Sequence, residues 1–252
     1  MPACPAMRLP HFPLHAVVFP HLPLPIHVFE ERYRAMVRDA MAADSLWAGR
    51  FVVSLILEGS EVADPGANPR TPGRAAAVGT IVEVRHAQRF GDGRWGLLTV
   101  GLARVAIGPV DASGPYAIVD VNELPEVRGD AAEAAALLPL VQAALDEYLT
   151  SVKRFVASAA SVGRESQEIT DVATTLDEVL KPIRLPDDPL AASYAVGGVL
   201  QIELTRKQRL LELPDGASRL RAELDLLRRE ARLVADGEMP TVGTDSLTYN
   251  PN

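Results

Sequence analysis

Hydrophobic positions at the start of the chain come in short runs that prolines interrupt. The apolar runs occupy residues 8–14, 17–19 and 22–29. Prolines stand within or beside these runs at positions 10, 13, 20, 23 and 25. Proline has no backbone N–H to donate to a sheet ladder, so strands that contain it are short, bulged or at sheet edges. The pattern therefore predicts a group of short β-strands.

The spacing of the apolar positions then becomes helical and returns to strand-like. Tyr33, Met36, Val37, Ala40 and Met41 recur every three or four residues, which predicts an amphipathic helix. Strands are predicted over 51–57, 78–89, 94–107 and 116–124, and a long loop over 59–77. A Gly-Asp-Gly hairpin turn lies at residues 91–93. This order of elements indicates a small, closed or nearly closed barrel with one early helix.

The second half of the chain has a helical pattern. Helices are predicted over 131–156, where Pro139 is expected to kink or split the helix, and over 169–180, 205–213 and 215–235. Asp188 followed by Pro189 predicts the start of a further helix. We therefore expect an α+β protein with a β-barrel at 8–124, a helical bundle at 125–236 and a flexible tail at 237–252.

Composition and charge narrow the class of protein. The formal net charge is −8, which argues against general affinity for nucleic acid or an anionic membrane. Cys4 is the only cysteine, so the chain cannot form an internal disulfide. No apolar run approaches the ~20 residues that a membrane span needs, and the start lacks the features of a signal peptide. We expect a cytoplasmic protein.

Motifs spread along most of the chain resemble the Lon protease N-terminal domain family. Those near the start are Leu-Pro-His-Phe-Pro-Leu at 9–14, Val-Val-Phe-Pro at 17–20 and Ile-His-Val-Phe-Glu-Glu-Arg-Tyr at 26–33. Later ones are Val-Gly-Thr at 78–80, Gly-Arg at 93–94, Val-Gly-Leu-Ala-Arg at 100–104, Pro-Tyr at 115–116, Lys-Gln-Arg-Leu-Leu-Glu at 207–212 and Arg-Leu at 219–220. The resemblance covers roughly residues 8–235.

The resemblance implies a PUA-like β-barrel followed by a helical bundle, in a module that recognises polypeptides for degradation. The motor and protease of that family have no counterpart here. No Gly-x-x-x-x-Gly-Lys-Ser/Thr phosphate loop is present, and no lysine stands in a protease-like context. We expect a free-standing, ATP-independent binding protein that is not an enzyme and needs no cofactor. Its expected partner is unfolded or extended polypeptide, with a separate ATPase or protease as a further candidate.

The apolar residues of the proline-rich stretch are the candidate peptide-binding site. They are too dense for one core, because successive strand residues point to opposite faces of a sheet. Some are therefore expected to remain exposed as a patch for a guest polypeptide. The candidates are Phe12, Leu14, Phe19, Leu22, Leu24, Ile26 and Phe29.

Polar candidates point to structure more than to chemistry. Glu30, Arg32 and Arg104 match the family pattern, and we expect Glu30 to pair with Arg32 or Arg104 and lock the helix on the barrel. Four histidines crowd into residues 11–27, but Pro13 breaks any helix there and no carboxylate lies among them. We expect exposed or edge histidines and no metal site. No serine has the context of a known nucleophile, so no catalytic residue is predicted.

Two alternatives to peptide binding stay open. PUA-like barrels also bind RNA, which needs a basic face. Arg85, Arg89, Arg94 and Arg104 would have to cluster on one side of the barrel to provide it. The other alternative is a small-molecule-binding or hydrolytic protein with a site between the two halves, where titratable groups would converge.

Overall fold

The computed structural model describes residues 7–58, 74–161 and 183–236. The predicted helix over 169–180 and the predicted tail lie outside these residues, as does most of the predicted loop over 59–77. The strands are β1 (Met7–Leu14), β2 (Pro23–Val28), β3 (Arg50–Leu55), β4 (Val78–Arg89), β5 (Trp95–Asp111) and β6 (Ile118–Glu123). The described helices are α1 (Glu31–Ala40), α2 (Ala131–Ser161), α3 (Pro189–Val199), α4 (Leu204–Glu212) and α5 (Gly216–Ala235).

The six strands form one sheet that closes on itself. Their order is β2-β5-β4-β3-β1-β6, and β5 also pairs with β6. Five strands therefore form a ring, and β2 is attached to it through β5 alone among the described residues. The predicted α+β architecture, a closed β unit with one early helix followed by helices, is confirmed.

The prolines of β1 are tolerated inside the ring because β1 changes partner half-way along. Its first half, up to Pro10, pairs antiparallel with β6. Its second half, which contains Pro13, pairs parallel with β3. Each proline thus has a registered strand on one side only, and its missing N–H can face the other side at little cost.

Both faces of β1 and β3 are covered by apolar side chains. One cluster contains Phe12 and Val53, together with Tyr33 and Met36 of α1. A second, separate cluster contains Leu9 and neighbours from β3, β4, β5 and β6. Successive residues of β1 are buried without alternation, because each face meets a different core.

Helix α1 is held on the first cluster by ring packing and one hydrogen bond. The rings of Phe12 and Tyr33 lie 4.1 Å apart between centroids. The Tyr116 hydroxyl donates to Asp39 Oδ2 at 2.7 Å. Burial and this contact with a carboxylate raise the pKa of the Tyr116 hydroxyl, so it remains a donor at neutral pH.

The described residues divide into two compact units. The first holds residues 7–125 together with α4, and the second holds α2, α3 and α5. Helix α4 thus belongs with the sheet, although the sequence analysis places it within the 125–236 segment. Two buried side chains connect it there. Gln208 Nε2 donates to the Val78 carbonyl at 3.0 Å, and Arg104 Nη1 donates to the Leu211 carbonyl at 2.9 Å.

The helices of the second unit begin where capping chemistry predicts. Asp188, which directly precedes Pro189, accepts a hydrogen bond from the Ala191 N–H, and Asp215 accepts one from the Ser218 N–H. Helix α2 runs through Pro139 without being split, and this proline is exposed. Water can therefore reach the carbonyl that lost its donor. No helix in the described ranges has the length and apolar character that crossing a membrane requires.

Replacing Arg104 tests the attachment of α4. The side chain is 1 % exposed, and its second nitrogen donates to the Pro125 carbonyl at 3.0 Å. Arg104→Met leaves two carbonyls without these donors, and we expect it to lower the free energy of unfolding by about 2–4 kcal/mol. Both tryptophans, Trp47 and Trp95, lie in the first unit, so their fluorescence in urea reports on it. The exposed-surface control Arg85→Met should change the value by about 0.5 kcal/mol or less. Equal losses in the two variants would contradict this role.

Candidate functional site

Three of the seven predicted peptide-binding residues are buried in the folded unit. Phe12, Phe19 and Ile26 are between 1 and 7 % exposed. Phe12 and Ile26 both belong to the first cluster, which also contains side chains of α1, and Phe19 is 1 % exposed. Burial removes these three residues from any surface that a guest polypeptide could contact.

The other four predicted residues retain some accessible surface. Leu14, Leu22 and Leu24 are half-buried, and Leu14 and Leu24 pack against the first cluster. Phe29, which follows β2 directly, is 49 % exposed. Phe29 therefore marks the place where the proline-rich segment reaches the surface.

Strand β2 presents every second side chain to the surface. Ile26 and Val28 point into the core, whereas Pro25 and His27 are exposed, and Phe29 continues the outward row. Across the ladder, Pro25 lies opposite Leu98 of β5 and His27 lies opposite Gly96. Leu98 is 43 % exposed, so it extends the outward apolar row onto the next strand.

An aromatic strip crosses these strands. The His27 ring lies 6.4 Å from the Phe29 ring and 6.0 Å from the Phe90 ring, both edge-on. Phe90 follows β4 and is 39 % exposed. A Cβ on Gly96 would sit 3.4 Å from the Phe90 ring, so the missing side chain at Gly96 leaves room for this ring beside His27.

We call this surface the aromatic face and define it by Pro25, His27, Phe29, Phe90 and Leu98. Phe29 was among the predicted residues, whereas Phe90 and Leu98 were not. Phe90 stood between the predicted strands over 78–89 and 94–107, and Leu98 stood in the second of them without any sign of which face it occupies. The nearest signal was the Gly-Asp-Gly turn, which places the end of β4 beside the start of β5. Contiguous exposed apolar side chains of this kind mark interaction surfaces.

The polar residues that match the family pattern have separate partners. Arg32 Nε donates to Glu30 Oε2 at 3.0 Å, and the Arg32 guanidinium lies 4.4 Å from the Tyr33 ring centroid. Of the two pairings that the sequence left open for Glu30, the structure thus has the one with Arg32. Arg104 donates hydrogen bonds to the backbone carbonyls of Leu211 and Pro125. These contacts are those expected of residues that hold the fold together.

His11 contradicts the expectation of exposed or edge histidines. It is 2 % exposed, and its Nε2 lies 2.7 Å from the Ser54 hydroxyl, which is also buried. Its Nδ1 has no hydrogen-bond partner among the described residues. Burial lowers the pKa of His11 to about 4, so the ring is neutral at physiological pH. This serine–histidine pair resembles part of a hydrolytic triad, but the sealed interior gives it no access to a substrate.

The arginines required by the RNA-binding alternative do not form a free basic face. Arg85 pairs with Glu83 at 2.7 Å, and Arg94 pairs with Asp92 at 2.6 Å. Arg89 lies over the Trp95 ring, with 5.9 Å to the ring centroid, and Arg104 is buried. Two of the four charges are thus neutralised by carboxylates and a third is inaccessible. Arg104 therefore cannot belong to a basic face, and only Arg89 of the other three has no carboxylate partner among the described residues.

A cavity of about 510 Å³ lies in the second unit, between the α2 helix and the segment that follows residue 182. Gln142 lines it, but the amide of this residue is occupied by the protein itself. Its Nε2 donates to the Ile183 carbonyl, and its Oε1 accepts from the Leu185 N–H, both at 2.9 Å. No histidine, serine or cysteine is among the described lining residues, so the cavity does not bring a nucleophile and a base together.

The helical unit also buries titratable side chains away from any accessible site. Glu223 is fully buried, and neither of its carboxylate oxygens has a hydrogen-bond partner in the described part of the chain. Burial raises the pKa of Glu223 well above its usual range, and the nearby Arg219 opposes this. Within the described residues no three histidine, cysteine or carboxylate side chains are close enough to hold a metal ion.

Comparison with known proteins shows the family to which these two units correspond. The model of the "ATP-dependent protease La (LON) substrate-binding domain" matches residues 8–229. The chain belongs to this family. The Lon-type motifs quoted above fall inside that match, and they include the buried Arg104 and the Tyr116 that binds α1.

Relatives and solved structures agree with this assignment. The chain is 27 % identical over 229 residues to a Lon protease of Trichlorobacter lovleyi and 23 % identical over 235 residues to that of Escherichia coli K12. Each match spans 90 % of this chain but only 24 % and 26 % of those proteins. The chain therefore corresponds to about a quarter of their length.

Two solved domains share the fold. The N-terminal domain of a Mycobacterium avium complex Lon protease has a TM-score of 0.58 at 21 % identity, covering 88 % of this chain and 98 % of that domain. A Lon N-terminal domain protein from Xanthomonas campestris has a TM-score of 0.52 at 20 % identity, covering 87 % and 98 %. At this identity the likeness shows the fold alone. The aromatic face is known only from the structure of this chain.

Burial of neutral His11 makes the stability of the first unit depend on pH. The unfolded chain binds a proton at the ordinary histidine pKa of about 6.5, whereas the folded unit resists it down to about 4. Stability is therefore full above pH 6.5 and is lost as the pH falls towards 4, by about 3 kcal/mol. Tryptophan fluorescence in urea at pH 7, 6 and 5 should follow this loss. His11→Gln, which cannot titrate, should flatten the profile between pH 6.5 and 5; an unchanged slope in the variant would contradict the assignment.

Proposed function

We propose that this chain binds unfolded or extended polypeptide through the aromatic face and catalyses no reaction itself. One observation carries the proposal. Phe29 and Phe90 both contact the His27 ring, Leu98 lies opposite Pro25 on the next strand, and these three apolar side chains are each between 39 and 49 % exposed in a domain from a substrate-binding family. The other large exposed apolar side chains include Leu46, Met41 and Leu140, which belong to other parts of the chain.

The chemistry of the aromatic face fits an uncharged, apolar guest. None of its five residues is a carboxylate, a lysine or an arginine. Glu83, the one carboxylate within β4, is paired with both Arg50 and Arg85. A guest that covers the face thus displaces water from rings and aliphatic groups without stripping an unpaired charge.

The size of the face sets the strength of binding. Fully burying one leucine or phenylalanine contributes about 1.5–3 kcal/mol, and these side chains are already about half buried. Three of them together contribute roughly 3 kcal/mol, the guest side chains that cover them contribute a similar amount, and the cost of association offsets most of this total. Binding is therefore weak and broad, as a protein that samples many unfolded chains requires. Its role is that of an adaptor in protein quality control, and a separate ATPase or protease would receive the bound polypeptide.

A binding assay with matched leucine variants tests the proposal. The probe is a reduced and alkylated test protein that stays unfolded, titrated against this chain and compared with its native form. Leu98→Ser should weaken binding of the unfolded form about fivefold, because it removes about 1 kcal/mol of apolar contact. Phe29→Ser should have a similar effect.

Leu46→Ser is the control for this assay. Leu46 is 99 % exposed in the same unit but lies in the loop after α1, away from the aromatic face. The Leu46→Ser variant should bind the unfolded probe as tightly as the wild type does. Loss of binding in Leu46→Ser equal to that in Leu98→Ser, or equal binding of the native and unfolded probes, would show that the aromatic face is not the site.

A further inference from the structure

The free edge of β2 lies directly beside the aromatic face, and its backbone groups determine how a guest can be held. Strand β2 pairs with β5 on one side and with no other described strand on its opposite side. An unpaired edge next to exposed apolar side chains usually offers a guest peptide a place to add as an extra strand. The question is whether this edge can accept one.

The orientation of the β2 backbone follows from two hydrogen bonds. The Leu22 carbonyl accepts from the Gly101 N–H at 3.0 Å, and the Leu24 carbonyl accepts from the Thr99 hydroxyl at 2.9 Å. The backbone groups of these even-numbered residues therefore face β5. Since the direction alternates along a strand, the backbone groups of Pro23, Pro25 and His27 face the free edge.

Two of the three outward positions on that edge are prolines. Pro23 and Pro25 present carbonyls but no N–H, and their ring Cδ atoms occupy the space where a donor would point. Only His27 has both a donor and an acceptor there. A guest strand would meet two pyrrolidine rings where it needs two donors, and its own carbonyls would stay unpaired.

We infer that this edge is closed to strand addition, and that the guest is held on the aromatic face by its side chains alone. This rests on the proposed function. The guests are segments with several aromatic or large aliphatic side chains, whatever the direction or hydrogen-bonding state of their backbone. The rings of Phe29, His27 and Phe90 contact those side chains, and Leu98 and Pro25 add further apolar surface on the same face.

Backbone methylation of a peptide separates side-chain from strand recognition. The probe is a short, capped, fluorescent peptide that alternates phenylalanine or leucine with serine. One version is N-methylated at the phenylalanines and leucines and another at the serines, so that together they remove the donors of either peptide edge. The wild-type chain should bind all three peptides within about threefold, as measured by fluorescence anisotropy. A loss of about tenfold or more in either methylated version would overturn the inference.

A second variant opens the edge. Pro23→Val/Pro25→Val keeps apolar bulk at both positions and restores two outward N–H groups. It should bind the unmethylated peptide about fivefold more tightly than the methylated ones. No difference between the peptides in this variant would show that the prolines are not what closes the edge. If the wild type binds none of the peptides, both the proposed function and the inference are wrong. If it binds only the unmethylated peptide, the inference alone is wrong.

Discussion

The coverage of β1 on both faces is the constraint on which the first unit depends. A strand between two cores must supply apolar side chains at consecutive positions, and the run from Leu9 to Phe12 does so. His11, the polar member of that run, remains there as a neutral ring bonded to Ser54. The cost of a buried polar group is thus limited by its protonation state and one partner.

Proline has opposite consequences in the two strands where it is frequent. In β1, Pro10 and Pro13 each have a registered partner strand on one side only, so the sheet tolerates them inside the ring. In β2, Pro23 and Pro25 face the outer edge and protect an exposed apolar surface from edge-to-edge pairing. The prolines thus limit the aggregation hazard that a free edge creates beside the proposed binding face.

Local rules predicted much of the fold, and long-range pairing decided the rest. The Gly-Asp-Gly turn, the cap at Asp188 and the strand over 78–89 follow from neighbouring residues, so the sequence reveals them. The second core depends on β1 meeting β3 and β6 from distant parts of the chain. Burial of Phe12 and Ile26 likewise depends on strands and a helix that meet from distant parts of the chain, so local sequence does not separate them from the exposed candidates.

The aromatic face is exposed, but the hairpin turn that positions Phe90 is held by α1. Gly93 in the hairpin turn has a positive φ of 85°, and Arg34 of α1 occupies the space where a Cβ would lie. Arg34 also donates to the Asp92 carbonyl, which ties the turn to α1. The hairpin turn thereby places Phe90 beside His27. A surface held in this way has little conformational freedom to lose, which is what the proposed binding through a few half-exposed rings requires.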